Sequence, residues 1–335
     1  MFLFAVASWG VTLHAFDPSE QDDSLALVRH FQAPEEPLDM PMEGGLIGDE
    51  VGLTVSLMGG ADVYRLQEFG FFEFYLQAEL PKKMLRVRNL GWPGDTVYRQ
   101  QRPMYFFTEQ GDTREGSESD GREKIEPGIF VLSFGKMESL DGLERLGEFE
   151  EAYDRMITGL QRYTQRIALI KPSAFHAVGP AAELAEERNL VLEQYGDAIE
   201  KLAEEKGLTL VTWEHFDSAE RLPHPNGVYL SASELRDFAI FLGTALHDGE
   251  RIEGPLDSGK YSPFLYRLIL EKNHLWDQYY RPTNWAFLYG DRQHVPSSRD
   301  HKDSDRRWFV EELNRIPFLI EEKEAEIWSL ATEVE

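Results

Sequence analysis

The feature that most constrains this chain is a regular alternation of short, largely apolar runs with amphipathic stretches. Leu53 to Met58 ends in Gly59-Gly60, Leu85 to Leu90 in Gly91 and Ile129 to Phe134 in Gly135; Ile167 to Ile170 and Leu208 to Trp213 are two further runs. Between them apolar residues recur at helical spacing. Val63, Leu66, Phe69 and Leu76 follow the first run, and Leu146, Phe149, Tyr153, Ile157 and Leu160 follow the third. From Glu183 to Lys206, Leu184, Val191, Tyr195, Ile199 and Leu202 form another stripe, with Gly207 as its stop. Ser231 and Glu234 make a capping box for a last helix through Leu235, Phe238 and Leu242.

Strands that are apolar without alternation are buried on both faces, and strand-helix alternation supplies the helices that cover them. The expectation is therefore an α/β fold, a three-layer α/β/α sandwich around a parallel five-stranded sheet. In such sheets ligands bind beyond the carboxyl ends of the strands. Chemistry is sought at the glycine-bearing turns after the first, second and third strands.

Four segments follow from the patterning. Residues 1–16 (MFLFAVASWGVTLHAF) are apolar and end in small residues, as a signal peptide does, but lack its positive start; they read as an export signal or an apolar arm. Residues 17–44 are acidic and proline-punctuated, a linker or arm. The alternating domain spans 45–248, with a polar insertion from Glu109 to Glu126. Residues 249–335 form a C-terminal extension in which Ser262 and Pro263 open a helix with Leu265, Leu268, Ile269, Leu275 and Trp276 inward. After it, residues 281–305 have no clear period and read as a wrap over the sheet domain.

The charge balance narrows the partners. Sixty acidic against 34 basic residues give a formal net charge of −26, which opposes binding to nucleic-acid phosphates or to anionic lipid. No segment has the run of apolar residues that a membrane span needs. Without cysteine, thiolate catalysis and disulfides are excluded. No phosphate-cradling glycine motif and no His/Asp/Glu cluster with metal-ligand spacing stands out, so neither cofactor nor metal is expected.

Four of the strand-end segments resemble the blocks of the SGNH/GDSL hydrolases, a family of esterases and lipases. LMGGADV at 57–63 is similar to the nucleophile block, NLGWPGDTV at 89–97 to the second, VLSFGKMES at 131–139 to the third and NGVYLSASEL at 226–235 to the last. The second is the most specific match. RPTNWAFLYG and the PSSRDH run further resemble a secreted, planctomycete-type branch. The resemblance implies a flavodoxin-like sheet and ester hydrolysis by a serine, a histidine, an aspartate and oxyanion donors. Carried over by position, the serine falls on Ala61, the oxyanion asparagine on Met137, the histidine on Tyr229 and the aspartate at Pro225; only Gly94, an oxyanion N–H, is kept. Glu138 matches the acidic member of the third block, a supporting role.

Two readings stay open. One is a non-catalytic pseudo-hydrolase that binds the small-molecule or polysaccharide esters its relatives process, with Gly60, Asp62, Trp92, Gly94, Asp95, Met137 and Tyr229 as ligand-binding positions. The other is an active carbohydrate esterase or lipase with a relocated nucleophile or base, for which His224, Ser298 and His301 are candidates. Each candidate also has a plainer role: His224 as a solvated loop residue, Ser298 with Asp300 and His301 as a pinned turn, Asp62 and Asp95 as helix N-terminal caps, and Trp92, Trp285 and Tyr289 as packing aromatics. Gly48-Asp49-Glu50 mimics a nucleophile block, but it precedes the first strand and so belongs to the wrong edge of the sheet.

Overall fold

A computed structural model describes residues 31–32, 34–100, 125–213, 222–247, 263–288 and 291–333. The apolar start at 1–16, most of the insertion at 109–126, and Tyr289 lie outside these.

Five parallel strands form one sheet: β1 (Thr54–Gly59), β2 (Arg86–Asn89), β3 (Ile129–Ser133), β4 (Ile167–Ile170) and β5 (Thr209–Val211), in the order β2-β1-β3-β4-β5. That order is flavodoxin-like, and it places a switch point between β1 and β3, where a crevice opens at the carboxyl ends. β3 shows why an internal strand is apolar on both sides. Phe130 and Leu132 pack into one helical layer and Ile129 and Val131 into the other, all fully buried.

The helices are α1 (Ala61–Phe69), α2 (Phe71–Glu79), α3 (Leu146–Leu160), α4 (Ala185–Lys206) and α5 (Ala232–His247). One face of the sheet carries α1, α2 and α5, and the other carries α3 and α4. The apolar period from Val63 to Leu76 predicts one helix, but Gly70, at φ 61, ends α1 and starts α2. A left-handed residue stops the ladder while the apolar spacing runs on, so the break is invisible to periodicity. Leu184 is a second correction: expected inward, it is 45% exposed, because Gly179–Leu184 is a 3-10 turn preceding α4. The capping box is present, with the Ser231 N–H donating to Glu234 Oε2 at 2.6 Å and the Glu234 N–H reaching Ser231 Oγ at 3.4 Å.

The C-terminal part adds α6 (Pro263–Tyr280), α7 (Trp285–Leu288), α8 (Trp308–Leu313) and α9 (Ile316–Thr332). In α6, Leu265, Leu268 and Ile269 pack with Phe74 of α2 and Ile327 of α9, whereas Trp276, Tyr279 and Tyr280 enter the α3/α4-side core. A buried charge cluster ties these helices to the edge strand. Lys272 Nζ lies 2.6 Å from Glu73 Oε2, and Arg88 of β2 donates to both oxygens of Glu324 at 2.5 and 3.2 Å.

The upstream arm is pinned at two points. Phe31 packs on Phe130 and pairs with Ile125, and Leu38 pairs with Thr164. Glu50, of the mimic glycine-acid pair, binds Arg166 just before β4, at the amino edge of the sheet. The guanidinium holds the Glu50 carboxyl down at about 2. Glu50 is therefore a structural anchor, on the edge opposite the crevice.

Candidate functional site

β1 leaves the sheet at Gly59, whose φ of 143 and contact with β3 require glycine: a Cβ there would sit 2.2 Å from the Ser133 carbonyl oxygen. Gly60 follows, and Ala61 opens α1 at the position where a nucleophile block would carry its serine. The pocket at this switch point is lined by Gly60, Ala61, Asp62, Asp95, Lys136 and Met137 among others, and it measures only about 30 Å³. That is room for about one water.

The pocket is small because its polar groups bind each other. Lys136, on the turn leaving β3, donates from Nζ to Ser173 Oγ at 2.8 Å, to the Val228 carbonyl at 2.5 Å and to Asp62 Oδ2 at 3.4 Å. Ser173 donates its hydroxyl proton to Asp62 Oδ2 at 2.7 Å, and the Leu230 N–H reaches Asp62 Oδ1 at 3.4 Å. The Phe175 ring lies 5.4 Å from the ammonium. An ammonium has three protons and no lone pair, and here all three protons have acceptors. Four chain segments, the ends of β1, β3 and β4 and the loop before α5, are joined through one cation.

Glu138 makes a second cross-link. Its carboxylate accepts the Val97 N–H and the Gly135 N–H, each at 2.8 Å, so it fastens the turn after β2 to the turn after β3. Burial pushes this carboxyl up to about 6 against the pull of those two hydrogen bonds.

Of the residues singled out in the sequence, Gly60, Ala61, Asp62, Asp95 and Met137 come together in the pocket wall, and Trp92, Gly94 and Tyr229 do not line it. Trp92 instead packs edge-on to Tyr280, with the Arg281 guanidinium 5.7 Å from its ring. Tyr229 sits between the Arg65 guanidinium and the His224 ring, 5.6 and 5.3 Å away. Asp62 stands in the first turn of α1 as expected but makes no side-chain cap bond, and Asp95 opens no helix. α1 has Gly60 at its N-cap, and Asp95 is a buried residue of an irregular turn.

The relocated candidates fare no better. His224 Nδ1 is held 2.8 Å from Asn226 Oδ1. The Asn226 oxygen, one position beyond Pro225, also accepts the Val228 and Tyr229 N–H groups. Ser298 is buried, with Oγ 2.9 Å from the Gln293 carbonyl and 2.7 Å from that of Val295, whereas the His301 side chain is 83% exposed. Asp300 Oδ1 accepts the Lys302 and Asp303 N–H groups, so this stretch is a pinned turn.

Lys136 and Ser173 were not singled out in the sequence. The available signal was position: Lys136 follows the third strand-end glycine, and Ser173 stands three residues beyond β4, an internal strand whose end carries no glycine to mark it.

No family model and no curated protein matches this chain. Solved structures similar to it include an acetyl xylan esterase, AlAXEase, at 15% identity, covering 58% of this chain and 100% of that one, with a TM-score of 0.42. A lipase/acylhydrolase from Enterococcus faecalis is 12% identical over 60% of this chain and 99% of that one, TM-score 0.42. A gut microbial diltiazem-metabolizing enzyme, BT4096, is 12% identical over 85% of this chain and 95% of that one, TM-score 0.45. The likeness is one of chain course, at low identity.

Proposed function

We propose that this chain is a non-catalytic, exported relative of the ester hydrolases, with a strand-end pocket closed by its own side chains. The observation that carries the reading is the saturated Lys136 ammonium, set beside Ala61 where a nucleophile belongs. Export rests on the apolar start alone.

A second reading deserves a hearing because a hydroxyl, an amine and a carboxylate do converge: Ser173 as nucleophile with Lys136 as base. It requires Lys136 to take a proton, and a nitrogen donating to three acceptors has no lone pair to take one. The remaining acceptor of the Ser173 proton is a carboxylate, a weak base for a hydroxyl. Purified protein is expected to turn over neither p-nitrophenyl acetate nor acetylated xylo-oligosaccharides above the buffer rate. Turnover abolished by Ser173→Ala would establish the second reading instead.

A further inference from the structure

Away from the sealed crevice, the protein holds a far larger cavity, about 310 Å³, at the lower end of the range for small-ligand clefts. It lies between the sheet and the C-terminal helices, beside the amino-terminal starts of β1 and β2. Thr54, Arg86, Gln32, Glu126 and Glu321 supply its polar wall, and Ile320 of α9 is among its apolar residues.

The polar groups here differ in kind from those around Lys136. Thr54 is 5% exposed, and its hydroxyl has no hydrogen-bond partner among the described residues. The side chains of Gln32, Glu126 and Glu321 are likewise without partners among them. Arg86 donates Nη1 to the Gly52 carbonyl at 2.7 Å, stacks 5.3 Å from the Trp328 ring and has Nε 3.9 Å from Glu324 Oε2, while its Nη2 makes no hydrogen bond among the described residues. Glu324 is the closer partner of Arg88, which donates to both of its oxygens at 2.5 and 3.2 Å, so the longer contact leaves Arg86 the freer of the two guanidinium groups.

Charge selects the ligand. An inorganic anion would meet the Glu126 and Glu321 carboxylates, and a small cation would meet the Arg86 guanidinium. Adjacent hydroxyls satisfy both, since each gives a proton to a carboxylate and accepts one from a guanidinium or amide. Trp276 is already engaged in the core, with Tyr280 7° from parallel at 5.5 Å and the Arg88 guanidinium 5.2 Å from its ring. We propose that this cavity binds a neutral polyol of monosaccharide size through hydrogen bonds to its polar wall. The proposal stands apart from the strand-end reading and survives even if Ser173 proves reactive.

Calorimetric titration of the full chain with D-glucose, D-xylose, inorganic phosphate and putrescine tests it. Saturable binding of at least one sugar is expected, with neither phosphate nor putrescine binding. Thr54→Val and Glu321→Ala are each expected to weaken the sugar about 3- to 10-fold, the loss of one hydrogen bond. Glu321 is an exposed residue of α9, so that variant stays interpretable if Thr54→Val folds poorly. Absence of sugar binding, binding of phosphate or putrescine instead, or sugar affinity indifferent to Glu321→Ala would overturn the proposal.

Discussion

Two lysines in this protein are each paired with a carboxylate, and their surroundings make them different devices. Lys272 and Glu73 are 0% and 2% exposed, packed between α6 and α2, whereas Lys136 and Asp62 keep 13% and 12% exposure at the rim of the crevice. Among the described residues Lys272 has one ion-pair partner at 2.6 Å and a distant carbonyl, that of Val87 at 3.3 Å. Lys136 has three acceptors drawn from three segments. The first is an ion pair removed from water, where the loss of either member strands a charge. The second is a hub of hydrogen bonds at a wetter edge, where each bond is worth less and its sum is order among loops.

The sharpest test of that contrast is to remove each cation in turn. Lys272→Ala leaves Glu73 buried and unpaired, and is expected to lower unfolding free energy by about 3–5 kcal/mol in chemical denaturation. An equal loss from Lys136→Met would erase the distinction.

A second test uses pH. Burial raises the Glu138 carboxyl to about 6 from the ordinary 4.5. Its stabilising contribution is full below pH 4.5 and is lost as pH rises through 6, a change of about 2 kcal/mol. Between those values the wild type should therefore lose stability relative to Glu138→Gln, read as converging denaturation midpoints. Glu50 acts in the opposite sense and in another window: its depressed carboxyl contributes stability above pH 4.5 that is lost as pH falls towards 2.

The smallest expected effect is that of Lys136→Met, about 1–2 kcal/mol for hydrogen bonds at a partly wet site. Its signature is local. Faster amide exchange should appear at Val228 and Leu230 and not at Ile269 of α6.

How far the sequence spoke for itself differs between these regions as well. β1, β3 and β4 were legible because burial on both faces leaves largely apolar runs, whereas the edge strands β2 and β5 are only partly buried and showed chiefly through their place in the alternation. The same logic placed the Gly48-Asp49-Glu50 mimic on the wrong edge, where Arg166 holds it. Ala61 and Met137 could be read by position at the ends of β1 and β3. What stayed hidden was the closure of the crevice. Asp62, Lys136 and Ser173 are 37 or more residues apart in sequence, and a lysine or serine after a strand has no pattern that announces its partner. The Gly70 break was hidden for a different reason, since apolar spacing continues across it.

The central claim is that the hydroxyl at the crevice is unreactive because its neighbour is a saturated ammonium. Intact-protein mass spectrometry after exposure to a fluorophosphonate probe reads this directly. The account predicts an unmodified mass at neutral pH, in the wild type and in Lys136→Met alike. A stoichiometric adduct mapped to Ser173 in the wild type, and lost in Lys136→Met, would contradict it.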